Sequence, residues 1–275
     1  LRTFFDGTLG AGGHSAMILE THPEIERLIA CDRDPSAIEI AKEKLQPWSD
    51  KVELIQGNFS EINRYLDEKK IPCVDGIFLD LGVSSMQLDQ EERGFSFSQD
   101  GPLDMRMDTE QRLTAEEIIN QFSEKELGRI FQEYGEEPRW KRAAKCVVTE
   151  RRKKRITTTK QLAEIFEKNF SRLRGRLHPA TLVFQALRIY VNQELEALDQ
   201  ALSHGIDRLC PKGRMGVISF HSLEDRMVKQ RFRAEKGKLT LLNRKPICPS
   251  KEEMRENPRS RSAKLRFVEK NEVEH

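Results

Sequence analysis

Four glycines fall within the seven residues Gly7-Thr8-Leu9-Gly10-Ala11-Gly12-Gly13, directly after the short apolar run Thr3-Phe4-Phe5 and Asp6. Glycine lets a backbone turn sharply and approach a ligand without interference from a Cβ atom. A helix beginning near Ser15 would then point its first N–H groups at whatever the turn holds. Strand, glycine turn and helix in that order predict a ligand loop at the edge of a sheet.

The first hundred residues repeat this rhythm. Leu28-Ile29-Ala30-Cys31 reads as a strand ending at Asp32, and Asp34-Pro35 opens a helix over Ser36 to Leu45. Val52 to Ile55 and Gly76 to Leu79 read as further strands. Alternating strands and helices predict an α/β fold with a parallel sheet. The pattern changes near residue 109. Thr114 with Glu117, and Ser123 with Glu126, have capping-box spacing, and Leu127, Ile130, Phe131 and Tyr134 recur at helical intervals. Residues 109–176 therefore read as a helical insert, with 1–108 and 177–275 forming one discontinuous α/β domain. After His178-Pro179, a single long amphipathic stretch is expected from Leu182 to Leu202, then a strand over Met215 to Phe220. The tail beyond about residue 235 is expected to be irregular.

Charge does not announce a partner in bulk: 47 basic and 45 acidic residues leave a net charge of +2. Its distribution does. Nine basic residues lie between Arg139 and Arg155 against Glu150 alone, and Arg172, Arg174 and Arg176 follow. A second cluster comprises Lys229, Arg231, Arg233, Lys236 and Lys238, then Arg259, Arg261, Lys264 and Arg266. Such clusters can neutralise phosphates and release counterions. Five widely spaced cysteines argue against a disulfide framework or zinc knuckle and for a reducing compartment. No metal is expected, because the six histidines form no H-x-x-x-H pair. No apolar run is long enough for a membrane span, and no secretory leader is read at Leu1 to Phe5.

The glycine loop departs from the dinucleotide pattern G-x-G-x-x-G, since Ser15 stands where the third glycine belongs. Asp32 is placed to accept hydrogen bonds from ribose hydroxyls, which dinucleotides and S-adenosylmethionine both carry. The most informative stretch is Asp80-Leu81-Gly82-Val83-Ser84-Ser85-Met86-Gln87-Leu88-Asp89. A strand ends in a carboxylate where ligands of open α/β sheets bind. Asp80 can accept a hydrogen bond from an exocyclic amine, and Ser84, Ser85 and Gln87 can add others. Turn formation is an equal reading for those three. Asp104 and His221 are further candidates with an equally plain structural reading.

These segments, with Gly10 to Ser15, Asp32-Arg33-Asp34-Pro35, Arg93-Gly94-Phe95-Ser96-Phe97, Gly101 to Asp108, His178-Pro179-Ala180-Thr181, Phe184 to Ile189 and Ser219 to Arg226, together resemble the MraW/RsmH type of small-subunit rRNA cytosine-N4 methyltransferase. The resemblance covers nearly the whole chain. It implies a class I S-adenosylmethionine-dependent, Rossmann-like methyltransferase fold with an inserted helical substrate-recognition domain. It implies S-adenosylmethionine as cofactor, bound by Gly12, Gly13, His14, Asp32, Phe59, Asp80 and Gln87. It implies 16S rRNA or the small ribosomal subunit as partner, with a decoding-region cytidine as acceptor. Asp80, with Ser84 or Ser85, is assigned to orient the amine. The family also carries a His-x-Pro-Val segment before the first strand, and this sequence is expected to be trimmed of it. A cytoplasmic setting, or an organelle of bacterial descent, follows, and a homodimer is compatible. Two other readings stay open on residues alone: an NAD-dependent oxidoreductase and a non-catalytic RNA-binding module.

Overall fold

A computed structural model describes residues 2–171 and 177–272. The expected Arg172, Arg174 and Arg176 lie outside the described residues. The chain divides into two compact units, one formed by residues 1–82 and 195–275 and the other by 83–194.

The first unit is built on a sheet. Its amino-terminal part contains β1 (Thr3–Asp6), α1 (Gly13–Thr21), β2 (Arg27–Asp32), α2 (Pro35–Lys44), β3 (Val52–Gln56), α3 (Ile62–Glu68) and β4 (Val74–Asp80). The second unit carries α4 (Ser85–Asp89), α5 (Ala115–Gln121), α6 (Glu124–Glu133), α7 (Trp140–Lys153), α8 (Thr159–Asn169) and α9 (Thr181–Asn192). The sheet unit resumes with α10 (Glu194–Arg208), β5 (Leu209–Ser219), α11 (Ser222–Ala234), β6 (Leu239–Leu241), α12 (Glu253–Glu256) and β7 (Lys264–Lys270).

The seven strands run in the order β3-β2-β1-β4-β5-β7-β6. The pairs from β3 through β5 are parallel, and β7 is antiparallel to both β5 and β6. Strand order reverses between β1 and β4, which opens a crevice beyond their carboxyl ends. Successive residues of a strand face opposite sides of the sheet. Phe4, Leu28 and Ala30 accordingly pack with Ala16, Leu19, Ala41 and Leu45 of α1, α2 and the residue ending α2. Phe5, Ile29 and Cys31 pack with α3, α10 and α11 through Tyr65, Leu66, Leu202 and Phe232. Burial on both sides explains the unbroken apolar run of β2.

The helical unit has its own core. Ile118, Leu127, Ile130, Phe131, Val147, Leu162 and Phe166 are buried together, as their spacing predicts. Both expected capping boxes are present, at Thr114 and at Ser123. This unit reaches further than residues 109–176. Phe95, Leu103 and Met105 before that span, and Val183, Phe184 and Leu187 after it, belong to the same buried cluster. Asn192 ties the ends together by accepting from the Met107 N–H at 2.8 Å and donating to the Met105 carbonyl at 2.8 Å.

Three other expectations change. The long helix over 182–202 is two helices, because Gln193 adopts a left-handed backbone with φ of 50° and ends α9. The tail is not irregular: it supplies β6, β7 and α12. Cys73 and Cys210 are joined in a disulfide, against the expectation of reduced thiols, while Cys31, Cys146 and Cys248 are free. The two paired cysteines are 137 residues apart in sequence, yet β4 and β5 are neighbours, which brings their Cα atoms to 5.0 Å.

Candidate active site at the carboxyl edge of the sheet

Asp6 ends β1 and is fully buried. It accepts the Thr8 N–H at 3.0 Å and the Ser15 hydroxyl at 2.6 Å, which pins the glycine loop to the first turn of α1. Burial raises the Asp6 pKa above its ordinary value, against the hydrogen bonds of Ser15 and Thr8. Gly12 caps α1 in the left-handed region with φ of 77°, where an added Cβ would also stand 3.3 Å from the Ala41 side chain. Only glycine takes that conformation without strain. At Gly7 an added Cβ would fall 2.8 Å from the Phe59 Cβ and 2.4 Å from Leu79 Cδ2, so the loop, β4 and Phe59 are in close contact.

Asp32 ends β2, in register with Gln56 of β3. Its two carboxylate oxygens accept the Gly10 N–H at 2.8 Å and the Asp34 N–H at 2.9 Å, so it braces the loop from below. Burial raises the Asp32 pKa, opposed by those two hydrogen bonds. Asp34 is the N-cap of α2 and accepts from the Ser36 N–H at 3.0 Å. Phe59 is half-buried at the start of a short 3₁₀ turn opened by Asn58.

Asp80 ends β4, the neighbour of β1 across the crevice. Its backbone N–H donates to the Thr8 hydroxyl at 2.6 Å. One carboxylate oxygen, Oδ2, lies 3.4 Å from His14 Nδ1, and the His14 ring rests edge-on against Phe78 with centroids 5.0 Å apart. The other oxygen, Oδ1, is buried with no partner among the described residues. Burial pushes the Asp80 carboxyl up to about 6; His14 works against that rise, and the nearby charges of Asp6 and Glu224 add to it. A carboxyl with that value is a better proton acceptor near neutrality than an ordinary aspartate.

Gly12, Gly13, His14, Asp32, Phe59 and Asp80 thus meet in one unit, at the loop and strand ends where sequence placed them. Ser84, Ser85 and Gln87 belong to the other unit and are described there. Ser84 is the N-cap of α4. Its hydroxyl accepts the Gln87 N–H at 3.2 Å, and the Gln87 side-chain oxygen accepts the Ser84 N–H at 3.1 Å. Both residues therefore do turn-building work, the reading left open by sequence. Asp104 pairs with Arg106 at 2.7 Å, and His221 caps α11, its Nε2 3.1 Å from Glu224 Oε1. Thr8 was not singled out by sequence; a threonine in a glycine loop carries no pattern that would reveal a bond to a strand 72 residues away.

The profile of the MraW methylase family matches residues 2–271. The chain belongs to that family. A relative from Protochlamydia amoebophila, named ribosomal RNA small subunit methyltransferase H, is 52% identical over 98% of this chain and 92% of its own length. Proteins of the same name from Chlamydia caviae and Persephonella marina are 50% and 47% identical, each over 98% of this chain and at 91% and 92% of their own lengths. The MraW methylase membership gives the β3-β2-β1-β4-β5-β7-β6 sheet its class: it is the class I S-adenosylmethionine-dependent methyltransferase fold expected from sequence. Neither the oxidoreductase nor the non-catalytic reading is favoured. Among the described residues no helix is long and apolar enough to cross a membrane.

The basic clusters prove unequal. In the tail, Arg231 pairs with Asp199 at 2.5 Å, Lys238 with Asp207 at 3.5 Å, and Lys264 and Arg266 with Asp225 at 3.4 and 2.8 Å. Much of that charge is spent inside the sheet unit.

Proposed function

We propose that this MraW-family chain methylates the N4 amine of a decoding-region cytidine in 16S rRNA, using S-adenosylmethionine and working in the cytoplasm. One observation carries the reading: the unpartnered, buried Asp80 Oδ1 at the crevice between β1 and β4, beside a glycine loop. The residues present fit the donor. Gly12, Gly13 and His14 form a loop closed to any side chain larger than glycine at its cap, and Asp32 keeps lone pairs for ribose hydroxyls. Phe59 offers an aromatic face for an adenine. We assign Gln87 to the same cofactor shell on the family resemblance. When bound, S-adenosylmethionine supplies an electrophilic methyl group on a sulfonium.

The chain's own part is orientation and proton handling. Asp80 accepts one N–H of the amine at Oδ1, which holds the nitrogen lone pair toward the methyl group. Ser84 or Ser85 is the further group assigned to that amine. As the nitrogen becomes cationic its proton passes to Asp80. His14 Nδ1 at 3.4 Å, on a ring about half exposed, offers the way to solvent. RNA bases must leave their stack to be reached in this way.

The defining experiment is methyl incorporation into 16S rRNA in small subunits lacking the modification, with mass spectrometry of nucleosides. N4-methylcytidine is expected; methyl on another atom or base overturns the assignment. Two further outcomes follow from geometry. With Asp80 titrating at about 6, kcat/KM should rise through pH 6 and level off above it, because the protonated carboxyl cannot take up the proton that the amine sheds. His14, Asp6 and Glu224 are the charged groups acting on that carboxyl, and a profile flat between pH 5 and 7 would count against its role. Replacing Thr8 with Val removes the acceptor for the Asp80 N–H and should lower kcat roughly tenfold, equivalent to about 1.4 kcal/mol. Thr8→Ser should restore it.

A further inference from the structure

The basic run of the helical unit separates into spent and unspent charge. Arg139 pairs with Glu137 at 3.1 Å, Lys153 with Glu150 at 2.7 Å and Arg155 with Glu116 at 2.8 Å. Arg151 donates to the Ile119 carbonyl at 2.6 Å, and Arg142 to the Asn169 carbonyl at 2.7 Å while stacking on Phe170. Lys141, Lys145 and Arg152, like Lys154 just past the helix end, are exposed and have no acidic partner among the described residues. The first three lie on α7 at positions i, i+4 and i+11, which places them on one stripe about 16 Å long. Ala143, Ala144, Val147 and Val148 of the same helix are buried in the core, with Val148 at i+7 between Lys145 and Arg152, so the stripe borders the packed face.

The helix itself explains only part of this stripe. Cations are favoured at a helix carboxyl end, which accounts for Arg151, Arg152 and Lys153 in the last turn. Lys141 stands in the first turn, where the helix dipole disfavours positive charge, and that turn contains no acidic residue. Lys141 also rests over the Trp140 ring at 5.1 Å, so its ammonium is held out at the surface. An anion from outside the chain would relieve both the dipole conflict and the mutual repulsion of the three cations.

We propose that the Lys141–Lys145–Arg152 stripe of α7 is a seat for the rRNA phosphate backbone, separate from the residues that hold donor and amine. This rests on the reading that the chain methylates small-subunit rRNA, and it names the surface that grips the substrate strand. Each cation that neutralises a phosphate of single-stranded RNA adds about 0.7 to the slope of log affinity against log salt concentration.

The test measures binding of a 16S rRNA transcript across salt concentrations for the full chain and for the triple variant Lys141→Gln, Lys145→Gln, Arg152→Gln. The slope should become shallower by about 2, while S-adenosylmethionine binding by calorimetry and the melting temperature stay unchanged. The paired control Lys153→Gln, Arg155→Gln should change the slope much less. An unchanged slope in the folded triple variant overturns the proposal. So does a stripe that governs binding to phosphatidylglycerol vesicles and leaves rRNA binding intact. A wild-type chain that binds rRNA through the stripe yet leaves cytidine unmethylated would sink the functional reading and keep this one. A wild-type chain that binds no rRNA sinks both.

Discussion

Replacing Asp80 with Ala is expected to remove methyl transfer, with a loss in kcat of about 100-fold or more, while the protein stays folded. Losing one group that stabilises charge in a transition state costs about 10²–10³ in rate, and a misplaced proton acceptor adds to that. The fold should not suffer. The Asp80 carboxyl is raised by burial from 3.8 to about 6. A raised carboxyl pKa favours the protonated folded state, so stability falls as pH climbs from the unfolded value through about 6. At neutral pH the ionised group is then a net cost to folding, which the neighbouring His14 reduces. Asp80→Asn should therefore melt at or above the wild-type temperature at pH 7 and still be inactive. Methyl incorporation and thermal melting on the same preparation decide it. Near-normal turnover in a folded variant would remove Asp80 from the chemistry.

Breaking the Cys73–Cys210 bond should have the largest effect on stability. The bond joins residues 137 apart, and in the chain-entropy picture closing a loop of that length contributes about 5 kcal/mol. For a chain of this size that corresponds to roughly 10 °C or more in melting temperature. Cys73→Ser, measured without reductant, should show this loss, and dithiothreitol should impose it on the wild type. Cys146→Ser and Cys248→Ser, which remove free thiols, should melt near wild type. A wild-type melting curve indifferent to reductant would mean that the thiols stay apart in solution.

What was legible in the sequence follows from local pattern. The strands β1 to β4, the α2 cap at Asp34 and the two capping boxes are written in short-range spacing, and the structure has them. Six of the residues named for the site, from Gly12 to Asp80, sit at loop and strand ends, where chain position alone nearly fixes location. What was hidden depends on distant partners. In β7 the buried positions are Arg266 and Val268, and Arg266 turns inward to meet Asp225 at 2.8 Å. A charged residue on the core face erases the alternation by which strands are recognised. The break at Gln193 is equally silent, since glutamine carries no expectation of a left-handed backbone. The insert's true edges were missed because Phe95 and Phe184, far outside its helical pattern, fill its core.

The pairing of β4 with β5 has a consequence for the protein's birth. Residues 81–208 are translated between the two strands, so at about 5–20 residues per second β4 waits on the order of ten seconds for its neighbour. Throughout that interval its open edge is a template for illegitimate β-pairing. The edge stays open in the nascent chain until β5 has been made, and the pairing of β4 with β5 then closes it.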